Sequence, residues 1–109
     1  MVNLRRDTVT GLVRLRILHA ASKSDALCGV DLSADLAAVG HRVSPGTLYP
    51  LLHELETAGW LASHAKTVNG RRRRYYAITG NGRAQLDEAM LALRRFAFDA
   101  PNGSAKRAG

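Results

Sequence analysis

A mostly helical α+β fold in one small domain is what this sequence predicts, on three observations. Apolar residues recur at helical spacing along most of the chain. An Asn69-Gly70 pair separates two strand-like runs near the middle. The 109 residues, 46% of them hydrophobic, suffice for one core and leave little room for a second.

Taken in order, a first helix is expected from about Asp7 to Ala21. Val9, Val13, Ile17 and Ala20 mark one of its faces, and Leu12, Leu15 and Leu18 mark another. A helix apolar on two sides is covered on two sides, so in a chain this short a second subunit is the expected cover. Ser22 to Leu27 reads as a polar loop. In CGVDLSADLAAVG, Leu32 and Leu36 lie four apart and Gly40 marks the stop of a short second helix. The third helix begins at Ser44, a good N-cap residue, with Pro45 at the first helical position, where its missing N–H costs nothing. Leu48, Leu51, Leu52 and Leu55 then form one buried stripe, and Gly59 ends the helix. Pro50 is the anomaly: it removes a hydrogen bond in the second turn, which predicts a bend or an irregular first turn.

From Trp60 to Val68 the pattern becomes strand-like, and Arg71 to Ile78 returns as its hairpin partner, with Leu61, Tyr76 and Ile78 sharing the core face. Thr79 caps a last helix over 81–98, whose stripe is Leu86, Ala89, Met90, Leu93 and Phe96 or Ala97. The remaining segment, DAPNGSAKRAG at 99–109, has nothing to bury and is expected to be a disordered tail to the 1–98 domain. Helix, helix, turn, helix, hairpin, helix is the order of a winged helix-turn-helix, with a two-stranded wing and a C-terminal helix.

The net charge of +7 and a pI near 10.5 favour nucleic acid or anionic lipid as partners. No apolar run approaches the roughly 20 residues of a membrane span, and Arg14 and Arg16 interrupt what would be a signal-peptide core, so a soluble, intracellular chain is expected. Cys28 has no second cysteine to pair with and reads as a buried thiol, with a redox pair across two chains as the alternative.

The stretch VNGRRRRYYAIT places Arg71, Arg72, Arg73 and Arg74 on the return strand of the wing. A wing lies beside the phosphate backbone or in the minor groove when the third helix occupies the major groove. The guanidinium fork can hold phosphate oxygens with two hydrogen bonds, which suits arginine to that position. Strand alternation sends Arg71 and Arg73 to one side, together with Tyr75, a further phosphate donor, and Arg72 and Arg74 to the other. Two other readings are a basic sheet edge that deters aggregation and a nuclear-localisation tract; the framing strand residues disfavour the tract. On the third helix, Ser44, Thr47, Tyr49 and Pro50 are the candidates for base edges, with Tyr49 also a phosphate donor and His53 placed for the backbone.

SPGTLYPLLHELETAGWL followed by GRRRRYYAITGNGRAQL closely resembles the PadR-type winged-helix transcriptional regulators, over roughly residues 10–93. The resemblance implies a cytoplasmic homodimer that binds double-stranded DNA, usually a repressor, and in many members one released from DNA by a small-molecule inducer such as a phenolic acid or drug. Val30 departs from the pattern, which commonly has Tyr after that glycine. The single C-terminal helix resembles the short subgroup, in which that helix and the first one form the dimer. By that analogy Leu12, Leu15, Leu86, Met90, Leu93 and Phe96 meet the partner chain.

No catalytic constellation, glycine-rich phosphate loop or cofactor motif is present, so the sequence predicts no enzyme and no cofactor. His19, His41, His53 and His64 with Cys28 raise metal sensing, yet their spacings match no compact zinc pattern, and no metal is expected. RNA binding, nonspecific chromosome binding and a protein-interaction module remain as alternatives; the polar third helix favours specific duplex DNA, and the basic wing disfavours the interaction module.

Overall fold

The structure, a computed structural model, describes residues 1–98, and the tail expected over 99–109 lies outside the described residues. Helix α1 spans Leu4–Ser22, starting earlier than its apolar pattern. Asn3 sets that start: its side-chain oxygen accepts from the Arg6 N–H at 2.9 Å, and Asp7 places a carboxylate in the first turn, where the helix dipole favours it. Val13, Ile17 and Ala20 bury as expected, but Leu18 and Ala21 bury with them. The second apolar face therefore remains open only toward the N-terminal half, at exposed Leu12 and half-buried Leu15.

Helix α2 spans Gly29–Ala38 and buries Leu32 and Leu36 against α1. Helix α3 spans Pro45–Thr57, with Leu48, Leu52 and Leu55 buried and Leu51 half-buried. Ser44 occupies the N-cap, but its hydroxyl lies 3.3 Å from the Thr47 hydroxyl and caps no backbone N–H. Its carbonyl does the closing, accepting from the Thr47 and Leu48 N–H groups at 3.0 and 2.9 Å. Pro50 does not interrupt the helix; lacking an N–H, it leaves the Gly46 carbonyl without the donor an α-helix would supply. At the far end Gly59 holds φ at 83°, its N–H reaching the Glu56 carbonyl while that of Trp60 reaches the Leu55 carbonyl. This 6→1 and 5→2 pair closes the helix and turns the chain directly into the sheet.

Strands β2 (Leu61–Val68) and β3 (Arg71–Ile78) pair antiparallel from Leu61 opposite Ile78 to Val68 opposite Arg71. Asn69 and Gly70, at φ 51° and 75°, form a two-residue turn whose positive dihedrals match the twist of the ribbon. A third strand, β1 (Leu27–Cys28), takes the place of the expected end of a polar loop and lies against β3, opposite Tyr76 and Tyr75. Two residues show no alternation, which hides such a strand in the sequence. The sheet order β1-β3-β2 puts the arginine strand in the middle at the tyrosines, while Arg71–Arg74 keep only β2 as a neighbour.

Helix α4 spans Gly80–Leu93, and Arg94–Phe98 continue it as a π-helical turn rather than the α-helix expected to residue 98. Thr79 joins it to the sheet: its hydroxyl donates to the Gly59 carbonyl at 2.6 Å and accepts from the Gly82 N–H at 3.0 Å, and its own N–H donates to the Trp60 carbonyl at 3.0 Å. Leu86, expected at a partner's surface, is buried in this chain's own core at 7% exposure, because the first turns of α4 pack back on the domain. Beyond it Met90, Leu91, Phe96 and Phe98 stand exposed. No helix among the described residues is long and apolar enough to cross a membrane.

Candidate nucleic-acid interface

The buried leucine stripe of α3 dictates what its opposite side presents. Ser44, Thr47, Tyr49, Pro50 and His53 are all exposed, as the helical spacing predicts. They divide into two flanks. Thr47, Pro50 and Glu54 border a groove shared with α1, and Tyr49 and His53 border a concavity shared with the sheet at Arg74 and Tyr76. The Tyr49 hydroxyl closes against Gly29 at the start of α2, where there is no room for a Cβ without moving the ring. Tyr49 is thus a bridge between α2 and α3 as well as an exposed phenol. Val30, the departure from the family pattern, is exposed nearby.

The four wing arginines separate as alternation requires. Arg74 lies on the sheet face toward α3, donating to the Ser63 hydroxyl at 3.0 Å, and Ser63 in turn donates to the Glu56 carboxylate at 2.6 Å. Arg73 lies on the other face, half-buried, with its guanidinium 3.9 Å from the buried Cys28 sulfur. That thiol also sits 3.2 Å from Asp31, whose carboxylate accepts from the Cys28 N–H at 3.1 Å and so holds the first turn of α2. Arg71 and Arg72, nearest the turn, are exposed. Tyr75, on the face of Arg71 and Arg73, stacks on its cross-strand partner His64 with centroids 6.0 Å apart. A hollow of about 240 Å³ beside the start of α2 is lined by Tyr49, Cys28 and all four arginines.

Two bidentate ion pairs set the electrostatics. Arg14 holds Glu54 of α3 at 2.8 and 2.9 Å, and Arg16 holds Asp35 of α2 at 2.8 and 3.1 Å. Hydrogen bonding from Arg14, more than its charge, draws the Glu54 carboxyl below its ordinary range. The same contacts push both guanidiniums further up. Among the described residues these are the two arginines in ion pairs, so the wing cations remain available to an outside anion. Arg5, Arg6 and Arg42, exposed near the entry to α3, were not among the expected site residues. Their charge is plain in the sequence, but their position depends on how α1 and α2 pack on α3. Among the described residues no group of three His, Cys, Asp or Glu could hold a metal ion.

A helix with a polar outer face, preceded by a helix and turn and flanked by a basic hairpin, defines a DNA-binding winged helix. The profile of the transcriptional regulator PadR-like family matches residues 17–88. Rv3488, a transcriptional regulator of Mycobacterium tuberculosis, is 44% identical over 104 residues, covering 95% of this chain and 96% of its own. Similar solved structures include a PadR-like transcriptional regulator of Bacillus cereus, with a TM-score of 0.74 at 29% identity over 84% of this chain and 89% of that one. Another is smu.1704 of Streptococcus mutans, with a TM-score of 0.71 at 32% identity over 78% of both chains. The protein belongs to the PadR-like family of transcriptional regulators.

Proposed function

We propose that this regulator binds a palindromic operator in double-stranded DNA as a homodimer, acts as a repressor, and is released by a small-molecule inducer. The observation that carries the reading is the pairing of an exposed polar α3 with a wing of four arginines on its flank. In this reading Ser44, Thr47, Tyr49 and Pro50 meet base edges, His53 and Tyr75 meet the backbone, and Arg71–Arg74 meet phosphates. Arg74 is already held by Ser63, whose hydroxyl in turn donates to Glu56 and ties the wing to α3.

Leu12, Met90 and Phe96, exposed on α1 and at the C-terminal end, support the dimer, with Leu15 and Leu93 half-buried beside them. Leu86 supports it only from beneath. A cavity of about 470 Å³ between α1, α2 and α4 supports the inducer: Leu12, Leu15, Met90 and Leu93 give it apolar walls, and Arg16, His19 and His41 give it a polar edge. That volume suits a small aromatic molecule with one acidic or polar group.

Selection of bound genomic fragments by the purified protein near physiological salt tests the reading. A few palindromic sites, with half-sites about one helical turn apart, are the expected result. Uniform recovery of fragments would establish the other reading, a nonspecific or architectural DNA binder, which the sequence-blind phosphate chemistry of the wing favours.

A further inference from the structure

We propose that Arg5 and Arg6, at the start of α1, hold the DNA backbone on the side of α3 opposite the wing, so that the helix is gripped from both flanks. The proposal rests on the reading of α3 and the wing as a duplex-binding surface. A groove of about 480 Å³ runs between α1 and α3, lined by Arg5 and Arg6 on one wall, by Thr47, Pro50 and Glu54 on the other, and by His41 at its end. Thr47 and Pro50 lie on the first turns of α3, the part that reaches base edges. The major groove is about 12 Å wide, and a helix with its side chains has a diameter of about 10–12 Å. Phosphates therefore stand close on both sides of an inserted helix, and a wing on one flank leaves the other strand to be met from elsewhere.

The chemistry of the α1 groove fits that second strand. Arg5 and Arg6 are exposed and, among the described residues, have no carboxylate within ion-pair distance. Glu54, the single carboxylate lining the groove, is held by Nε and Nη2 of Arg14 and so opposes a phosphate less. Asp7 is close in sequence but does not line the groove. The cap from Asn3 fixes the turn that carries the two arginines, so they are presented from a helix rather than a loose end.

Salt titrations of duplex binding by Arg5→Ala/Arg6→Ala, set beside the unaltered protein, decide the matter. If both arginines contact phosphates, the slope of log K against log salt becomes shallower by about 1.8 per bound protomer, hence about 3.6 for a dimer on its operator, from 0.9 per contact. Affinity falls by the same factor for operator and unrelated duplex, and Arg5→Lys/Arg6→Lys retains the steep slope. An unchanged slope in the alanine variant, with binding by the unaltered protein intact, overturns the two-flank grip and leaves the wing assignment standing. Absence of duplex binding by the unaltered protein overturns both. Should the alanine variant melt early, Arg5→Gln/Arg6→Gln provides the same comparison with the polar side chains retained.

Discussion

Gly82 occupies a point where α4 crosses the sheet with no space for even a methyl group. A Cβ there would collide with the Trp60 carbonyl oxygen and come within 2.8 Å of Ile78. Because the obstacle is backbone already engaged by the Thr79 N–H, it cannot simply swing away. Gly82→Ala should destabilise the fold by about 1–3 kcal/mol, the usual range for overpacking, seen as a lowered thermal midpoint. Gly29 is the contrasting case, since its neighbour is the mobile end of Tyr49, and Gly29→Ala should leave the melting temperature nearly unchanged while altering DNA affinity through the displaced phenol. Glu54 supplies a pH prediction. Its carboxyl is lowered by Arg14, so the pairing is fully present above the carboxyl's unfolded-chain value and is lost as pH falls through the lower native value. In an acid titration of stability, Glu54→Gln should therefore lose part of the pH dependence in that acidic window; an identical acid limb would show that the pair adds nothing.

At the scale of elements, the wing is more than a charged ribbon. Its outer arginines extend freely, but Arg74 is tied through Ser63 to Glu56 of α3, and β1 ties the base of β3 to the start of α2. Arg71→Ala/Arg72→Ala should shallow the salt slope with little change in stability, measured by the same titration and a thermal melt. Ser63→Ala, which removes the bond to Glu56, should instead loosen the wing relative to α3, seen as faster amide hydrogen exchange along β2. The hairpin and all four α-helices are legible in the sequence, apart from their ends, because Asn69-Gly70 and the apolar spacings are local signals of backbone geometry. β1 is not, since two residues carry no period. Leu86, expected at a partner's surface but buried in this chain's own core, differs for another reason: apolar spacing marks a face as covered but does not say whether its own chain or a partner covers it. Arg5 and Arg6 escape a sequence reading because their neighbours, Thr47 and Pro50, come from a helix forty residues away and only packing brings them together.

For the molecule as a whole, the exposed Met90, Leu91, Phe96 and Phe98 collect at the end farthest along α4 from its junction with the sheet. Phe96→Ser/Met90→Ser should shift the mass measured by light scattering toward 11.8 kDa and weaken operator binding, while fragments bearing one half-site are less affected. The junction itself then acquires a meaning. Thr79 and Gly82 weld α4 to the sheet, and a 14-residue helix is a rod about 21 Å long at 1.5 Å per residue. In the proposed dimer, two such rods joined at their far ends would act as callipers, with the two wings set at one gap. An operator lengthened by a single base pair between its half-sites should then bind more weakly than one of natural spacing, which a titration of the two duplexes would measure.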